Sequence, residues 1–381
     1  MRVIPIASGK GGVGKSLIAA NLAVAFAQAE KRVILADLDL GASNLHLIIG
    51  HQKPGASIGT FLNNPKIDFS TLVAQTDIKN LSFIPGDAEI PGTANLKTGQ
   101  RNALIRRLLA LDTDILILDL GAGTHQSILE FFLMSGQGII VSSPAVTATL
   151  NAYVFLKNTV FRLMYSSFKK GSGAFDYLEK LRKDGSGLKM LYLPKMLEEI
   201  EKVDTASYNK FKTSLDHFHP RLIINMLDDP KDADVAMKIR RSCENYLGIQ
   251  LEHLGVMYRD NIQDISLSSR LPIVLYKPQA VLSQAIYRIA DKILQSPESE
   301  NYDFTEERNI DESFQEAIME AEVDFESKKE YVQELLHSGM LTEGDLVETV
   351  KTQQIEITKL KKENVFLKQH LSKAVKQGYK A

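Results

Sequence analysis

The run Ser8-Gly9-Lys10-Gly11-Gly12-Val13-Gly14-Lys15-Ser16 gathers four glycines and two lysines into nine residues, and an anion would give each type a task. Gly9, Gly11, Gly12 and Gly14 let backbone N–H groups turn toward a phosphate without Cβ clashes. Lys15 is spaced to reach the β- and γ-phosphates of a nucleotide, and the Ser16 hydroxyl to ligate Mg²⁺. Val13 and Leu17 complete the expected nucleotide-binding set. Lys10 is surplus to a single nucleotide: it is either extra surface charge or aimed at another one.

Two further runs end in carboxylates. Val33-Ile34-Leu35-Ala36-Asp37 leads into Leu38-Asp39-Leu40-Gly41-Ala42-Ser43-Asn44. Two acids two residues apart, just past a strand end, can serve Mg²⁺ and an attacking water. The alternative is a capped turn with solvated acids. Asp114-Ile115-Leu116-Ile117-Leu118-Asp119 is a second apolar run ending in Asp, and Asp119 would hold Mg²⁺ through water.

These residues need a scaffold, and the flanking sequence supplies one. Val3-Ile4-Pro5-Ile6-Ala7 reads as a buried strand, and Leu17 to Phe26 as a helix whose N-terminus adds its positive dipole end. Strand, glycine loop and helix are the setting of the P-loop. Farther on, apolar strands alternate with helical stretches. The expected fold class is α/β, a mostly parallel doubly wound sheet covered on both faces, with ligands at the carboxyl ends of its strands.

The loop Gly9–Ser16 resembles the deviant Walker A motif of the MinD/ParA family of dimerising ATPases. The resemblance implies that Lys10 crosses a dimer interface to the partner's phosphates, so that ATP occupancy sets the dimer population. Asp37 to Asn44 is similar to the family's D-x-D-x-G-x-x-N switch I, which implies that Asp39 positions the attacking water. Asp119-Leu120-Gly121-Ala122-Gly123 resembles switch II. His125 follows it and is expected to be a loop residue, because this family positions water with carboxylate and backbone.

The later chain resembles the FlhG branch of that family, through Ile139-Ile140-Val141-Ser142-Ser143-Pro144, Asn151-Ala152-Tyr153 and Leu254 to Asp260. Leu222-Ile223-Ile224-Asn225-Met226 looks like the strand whose terminal Asn reads the adenine edge, a task suited to an amide that both donates and accepts. Two departures stand out: Asn151 where the family usually has Asp, and Leu120-Gly121 inside switch II. The resemblance covers residues 1–295. It implies a switch that hydrolyses ATP to ADP and phosphate with Mg²⁺ and forms a homodimer on ATP binding. Such a switch answers to a protein partner or activator and controls the position or number of a cellular structure. A ParA-type DNA partition ATPase and a coiled-coil scaffold with a structural nucleotide site are the alternatives.

Composition narrows these choices. The chain has 381 residues, 44% hydrophobic, enough for one large α/β domain with appendages. A formal net charge of −2 gives no general case for nucleic acid. Cys243 is the single cysteine, which argues against a disulfide framework and against the iron–sulfur carriers and nitrogenase reductases of similar fold. It is expected on a buried helix face. No secretory leader or apolar run of about 18 residues appears, so the expected location is cytoplasmic, with peripheral membrane or polar association possible through the tail.

Three appendages are expected. Residues 164–220 form a charged insertion with glycine breaks at Gly171-Ser172-Gly173 and Gly185-Ser186-Gly187 and helices near Phe175–Leu181 and Leu193–Val203. It is either a decoration or a partner-binding cap. Residues 296–345 read as an acidic, solvated linker with short helices such as Glu312–Leu336. Residues 346–381 carry Leu346, Val350, Gln353, Ile357, Leu360, Asn364, Leu367, Leu371 and Ala374 at alternating spacings of three and four. That is the seam of a parallel coiled coil, with Asn364 fixing register. The same tail is basic, through Lys359, Lys361, Lys362, Lys368, Lys373, Lys376 and Lys380, and suits an anionic membrane as well. Contact with DNA or with the chain's own acidic segment is the third option.

Overall fold

A computed structural model of the chain describes residues 1–41, 43–51, 56–64, 66–86, 96–183, 192–296 and 310–338, and single positions between 344 and 365. The chain forms two compact units, Met1–Asp324 and Phe325–Ala381.

The strands are β1 (Arg2–Ser8), β2 (Val33–Leu38), β3 (Ala74–Gln75), β4 (Leu81–Ile84), β5 (Ile115–Ala122), β6 (Ile139–Ser142), β7 (Arg221–Leu227) and β8 (Glu252–Tyr258). The helices of the first half are α1 (Lys15–Gln28), α2 (Leu45–Ile48), α3 (Ile58–Asn63), α4 (Thr98–Leu109), α5 (Gln126–Phe132), α6 (Val146–Ser167) and α7 (Gly173–Lys183). They are followed by α8 (Leu193–Val203), α9 (Thr205–Asp216), α10 (Val235–Leu247), α11 (Ile262–Ser268), α12 (Ile273–Tyr276), α13 (Val281–Gln295) and α14 (Ile310–His337).

All eight strands join one sheet in the order β3-β4-β2-β5-β1-β6-β7-β8. Every pairing is parallel except β3 with β4 at one edge. The doubly wound α/β class read from the sequence is what the chain adopts. Continuous apolar runs such as Leu116-Ile117-Leu118 are buried on both faces, as a helix-covered parallel sheet requires. Register places Asp37 opposite Asp119 on neighbouring strands, and Ile6 opposite Asp119 on the other side. The carboxylates are thereby set at one end of the sheet, beside the loop that follows β1.

Helix α1 is apolar almost all round because it lies in the core, between the sheet and α12–α13. Ile18, Leu22, Val24 and Phe26 are fully buried there. Asn21, also buried, is satisfied on both sides: Nδ2 donates to the Leu17 carbonyl at 2.8 Å and Oδ1 accepts from Val274 N at 3.1 Å. A buried amide left unpaired would cost about 1–3 kcal/mol.

The insertion contains α7 and α8 where periodicity expects helices, and adds α9, which begins on an Asp204 cap (Ser207 N to Asp204 Oδ1, 3.0 Å). The break at Gly185-Ser186-Gly187 lies outside the described residues. Cys243 is fully buried on α10.

The acidic segment departs from a solvated linker. Residues 310–337 form one helix, and its first half, to Asp324, packs on the domain through buried Phe314, Ala317 and Ala321. Acids on that face meet bases on α10 and α13: Asp311 with Arg240 at 2.6 Å, Glu320 with Lys292 at 2.8 Å, and Asp324 with Arg288 at 2.5 Å. Ser313 Oγ accepts from His253 N at 3.2 Å, and Tyr258 Oη donates to the Ala321 carbonyl at 2.8 Å. The helix thus closes the free side of edge strand β8. Net negative charge predicts solvation only when no complementary face is near, and the Arg240–Arg288–Lys292 face is visible only once the chain has folded.

In the second unit, Val350, Ile357 and Asn364 of the expected seam are helical and exposed, as is Lys361. Leu346, Gln353, Leu360, Leu367, Leu371 and Ala374 lie outside the described residues, as do Lys359, Lys362, Lys368, Lys373, Lys376 and Lys380. No helix among the described residues is long and apolar enough to cross a membrane.

Candidate nucleotide-binding site

The loop between β1 and α1 carries the site. Gly14 caps α1 in a left-handed conformation, φ 86°, that a side chain rarely adopts. Asn225 packs against the same glycine, and its Nδ2 donates to the Val13 carbonyl at 2.9 Å. Gly9 is needed for another reason. A Cβ there would run into the backbone carbonyl of Asn151, so the first turns of α6 press directly on the loop. Ser8 Oγ donates to the Lys10 carbonyl at 2.9 Å and pins the start of the loop. Gly11 and Gly12 lie exposed at its crown, Ser16 is half-buried and Leu17 packs on the core.

Two lysines leave the loop in different directions. Lys15 is buried and pairs with Asp119 at 2.5 Å, with Ser16 Oγ 3.3 Å from its amine. Lys10 is exposed, and its Nζ donates to Thr147 Oγ1 at 2.9 Å, on the first turn of α6. Beside it, the outer face of α6 shows Val146, Leu150 and Val154 at 73%, 60% and 42% exposure. Spaced by four, they form one apolar stripe open to solvent.

The carboxylates are held in graded environments. Asp37 is buried and organises the loop after β2. Its Oδ2 accepts from Ser43 Oγ at 2.7 Å and from Leu45 N at 3.3 Å, and its Oδ1 from Asp39 N at 3.1 Å. Burial first, and the nearby Asp119 second, push its pKa up to about 7, against the pull of those donors. Burial also raises Asp119, while the Lys15 ammonium and the Ser16 hydroxyl draw it down. Asp39 is only half-buried and faces the loop after Asp119. A Cβ at Gly121 would lie 3.1 Å from its Oδ1. β5 continues past Asp119 to Ala122, so switch II starts inside the strand, and Gly123 N then donates to the Ser8 carbonyl at 3.1 Å.

Against known proteins, the model of the CobQ/CobB/MinD/ParA nucleotide binding domain matches residues 4–273. The chain belongs to that family. Among relatives, the septum site-determining protein MinD of Helicobacter pylori is 31% identical over 147 residues, 38% of this chain and 54% of that protein. The antiactivator FleN of Pseudomonas aeruginosa is 26% identical over 159 residues, covering 41% and 56%. The matched stretch thus spans about half the length of these relatives. Among solved structures, MinD of Pyrococcus horikoshii, complexed with Mg-ADP, superposes with a TM-score of 0.52 at 19% identity, over 77% of this chain and 96% of that one. A ParA family ATPase of Chlorobium tepidum gives 0.51 at 20% identity, over 77% and 99%. These likenesses establish the fold.

A nucleotide with a divalent cation fits the donor set. Among the described residues no three His, Cys, Asp or Glu side chains form a cation cage. A cation here would rest on a hydroxyl, one or two carboxylates and phosphate oxygens, which is how Mg²⁺ is usually held. Ser16, Asp37, Asp39 and Asp119 offer hard oxygen donors at this end of the sheet, and a cation would relieve the cost of burying two carboxylates, Asp37 and Asp119, on adjacent strands.

The structure brings Lys15, Ser16, Asp37, Asp39 and Asp119 to one end of the sheet, with Lys10 at its rim. Asn225 lies inside β7, where its amide serves the P-loop backbone. Motif reading missed Thr147, Ser43 and Met226. The first two are hydroxyls that meet site residues, for which spacing offers no signal. Met226 follows Asn225 with a left-handed φ of 63° and bends the strand end beneath the loop.

Proposed function

We propose that this chain is a MinD/ParA-type switch that binds ATP, dimerises through it and hydrolyses it to ADP and phosphate, in the service of positioning a cellular structure. The observation that carries the reading is Lys10, exposed at the rim of the P-loop beside the open Val146–Leu150–Val154 stripe. A second copy seated on that stripe would cover apolar surface and bring each Lys10 to the other copy's phosphates. At roughly 4 Å and an effective dielectric near 20, one such contact is worth up to about 4 kcal/mol before desolvation. That suffices to tie nucleotide occupancy to the dimer population.

Within one subunit, Lys15 exchanges its pairing with Asp119 for the β- and γ-phosphates when ATP arrives. Ser16 and Asp119, with Asp37 behind them, would then hold Mg²⁺, which when bound screens charge on the phosphate oxygens. Asp39 lies against switch II and orients the attacking water. Asn225 supports the loop through Val13, and its Oδ1, an acceptor, suits the adenine amino group. The septum site-determining role in the name of the MinD relatives supports placement of a division site or a similar structure. The heptad seam of the tail supports pairing of the subunits, and its lysines support attachment to an anionic membrane.

Light scattering with ATP and Mg²⁺ tests the core of this. Wild type forms a dimer, Lys10→Ala stays monomeric, and Asp39→Ala accumulates the dimer because it cannot discharge it. Identical behaviour of all three would sink the assignment.

A further inference from the structure

Glu130 on α5 forms ion pairs with two guanidinium groups at once. Arg101 of α4 reaches its Oε2 through Nε, and Arg162 of α6 reaches its Oε1 through Nη2. The side chains of Arg101 and Glu130 are 4% and 13% exposed, and that of Arg162 is 29% exposed. Gln126 Nε2 adds a hydrogen bond to Oε1 at 3.0 Å. Three ions withdrawn from water are a poor source of stability, because desolvation consumes most of their attraction. What such a cluster does supply is a fixed geometry.

The elements it fixes all lead to the nucleotide. α5 starts immediately after the loop from Gly121 to His125, which faces Asp39. α6 touches the P-loop through Asn151 at Gly9 and through Thr147 at Lys10. Arg162 lies fifteen residues beyond Thr147, roughly 22 Å along the same helix. The far end of α6 carries the insertion, with Tyr165 edge-on to Phe175 of α7 and, just past the helix, Phe168 edge-on to Phe211 of α9, both at 6.2 Å. One helix therefore contacts the P-loop, the insertion and, through Arg162 and Glu130, the element that follows switch II.

We propose that Glu130 is a positioning residue for ATP hydrolysis: gripped by Arg101 and Arg162, it sets α5 and hence the Gly121–Gly123 loop against the Asp39 carboxylate. The proposal rests on the ATPase reading above. Without the carboxylate, two largely buried guanidiniums face each other unpaired, and α5 is released from α4 and from α6, which stays seated on the P-loop. The loop then samples positions in which Asp39 and its water are out of line. ATP binding is unaffected, because α6 keeps its contacts with the P-loop at Gly9 and Lys10. The signature is a loss in kcat with KM unchanged.

Steady-state hydrolysis by the full chain tests this in wild type, Glu130→Gln, Arg162→Met and the double variant. Glu130→Gln should lose roughly tenfold in kcat while KM for ATP stays within about twofold. The double variant should be no slower than Glu130→Gln, since both changes open the same clamp. Glu130→Asp, which keeps the charge, should recover part of the rate. Equal kcat in wild type and Glu130→Gln overturns the proposal, as does a raised KM at unchanged kcat. Should Glu130→Gln fail to fold by circular dichroism, Arg162→Lys replaces it: charge is kept, the planar fork is lost, and an unchanged kcat again overturns the proposal. A wild-type chain that never turns over ATP refutes the ATPase reading itself, whereas turnover indifferent to these variants refutes Glu130 alone.

Discussion

Acid should weaken this fold through one side chain that has no part in the nucleotide site. His253 on β8 is fully buried beneath α14, its ring 5.1 Å from that of Phe314. Burial first, and the Lys292 ammonium second, lower its pKa from the usual 6.5 to about 3. The folded protein therefore takes up this proton only in strong acid, while the unfolded chain takes it up below neutrality. Between about pH 3 and 6.5 the unfolded state binds more protons, so stability rises with pH and is lost as pH falls. At about pH 5 the unfolded imidazole gains RT ln(1 + 10^1.5), about 2 kcal/mol, which the folded state does not share. Near pH 7.5 the same term is close to zero. The assay is urea unfolding at both pH values for wild type and His253→Leu, followed by far-UV circular dichroism because the chain lacks tryptophan. Wild type should lose about 2 kcal/mol more than the variant on acidification. Equal losses in the two proteins would refute the reasoning, since carboxylate titration is common to both.

Two further outcomes are expected. Asn225→Ala removes the hydrogen bond to the Val13 carbonyl and leaves that acceptor buried, which should cost about 1 kcal/mol, roughly fivefold in affinity for a fluorescent ATP analogue. Phe314→Ala should cost about 3–5 kcal/mol in the packing of the first half of α14, measured as faster hydrogen exchange at β8 amides such as His253 N.

The candidate phosphate loop was legible in sequence because its motif is local. Gly9 to Ser16 are contiguous, and the strand and helix around them follow from apolar runs. Asp37 and Asp119 could be picked out because each ends a buried run, although their adjacency depends on the strand order, which no local pattern encodes. Asn225 shows the limit of such reading. It is expected to read an adenine edge, whereas its Nδ2 turns inward to the Val13 carbonyl, a contact for which the strand pattern carries no signal. The acidic segment shows the converse. Its helix was partly visible in periodicity, whereas its docking depends on Arg240, Arg288 and Lys292 arriving from two other helices. Glu130 is ordinary in sequence, an acid on a short helix, until two arginines far away in the chain close on it.

The closure of β8 by α14 bears on how the molecule ages. Proteolysis after Gln295 would strip away Ser313 and the apolar wedge of Phe314, baring an outer strand with an unsatisfied N–H at His253. Such a remnant is a template on which further molecules could stack by backbone pairing. Trimmed material should accordingly be lost to precipitate sooner than the intact chain, even with every phosphate-loop residue still in place.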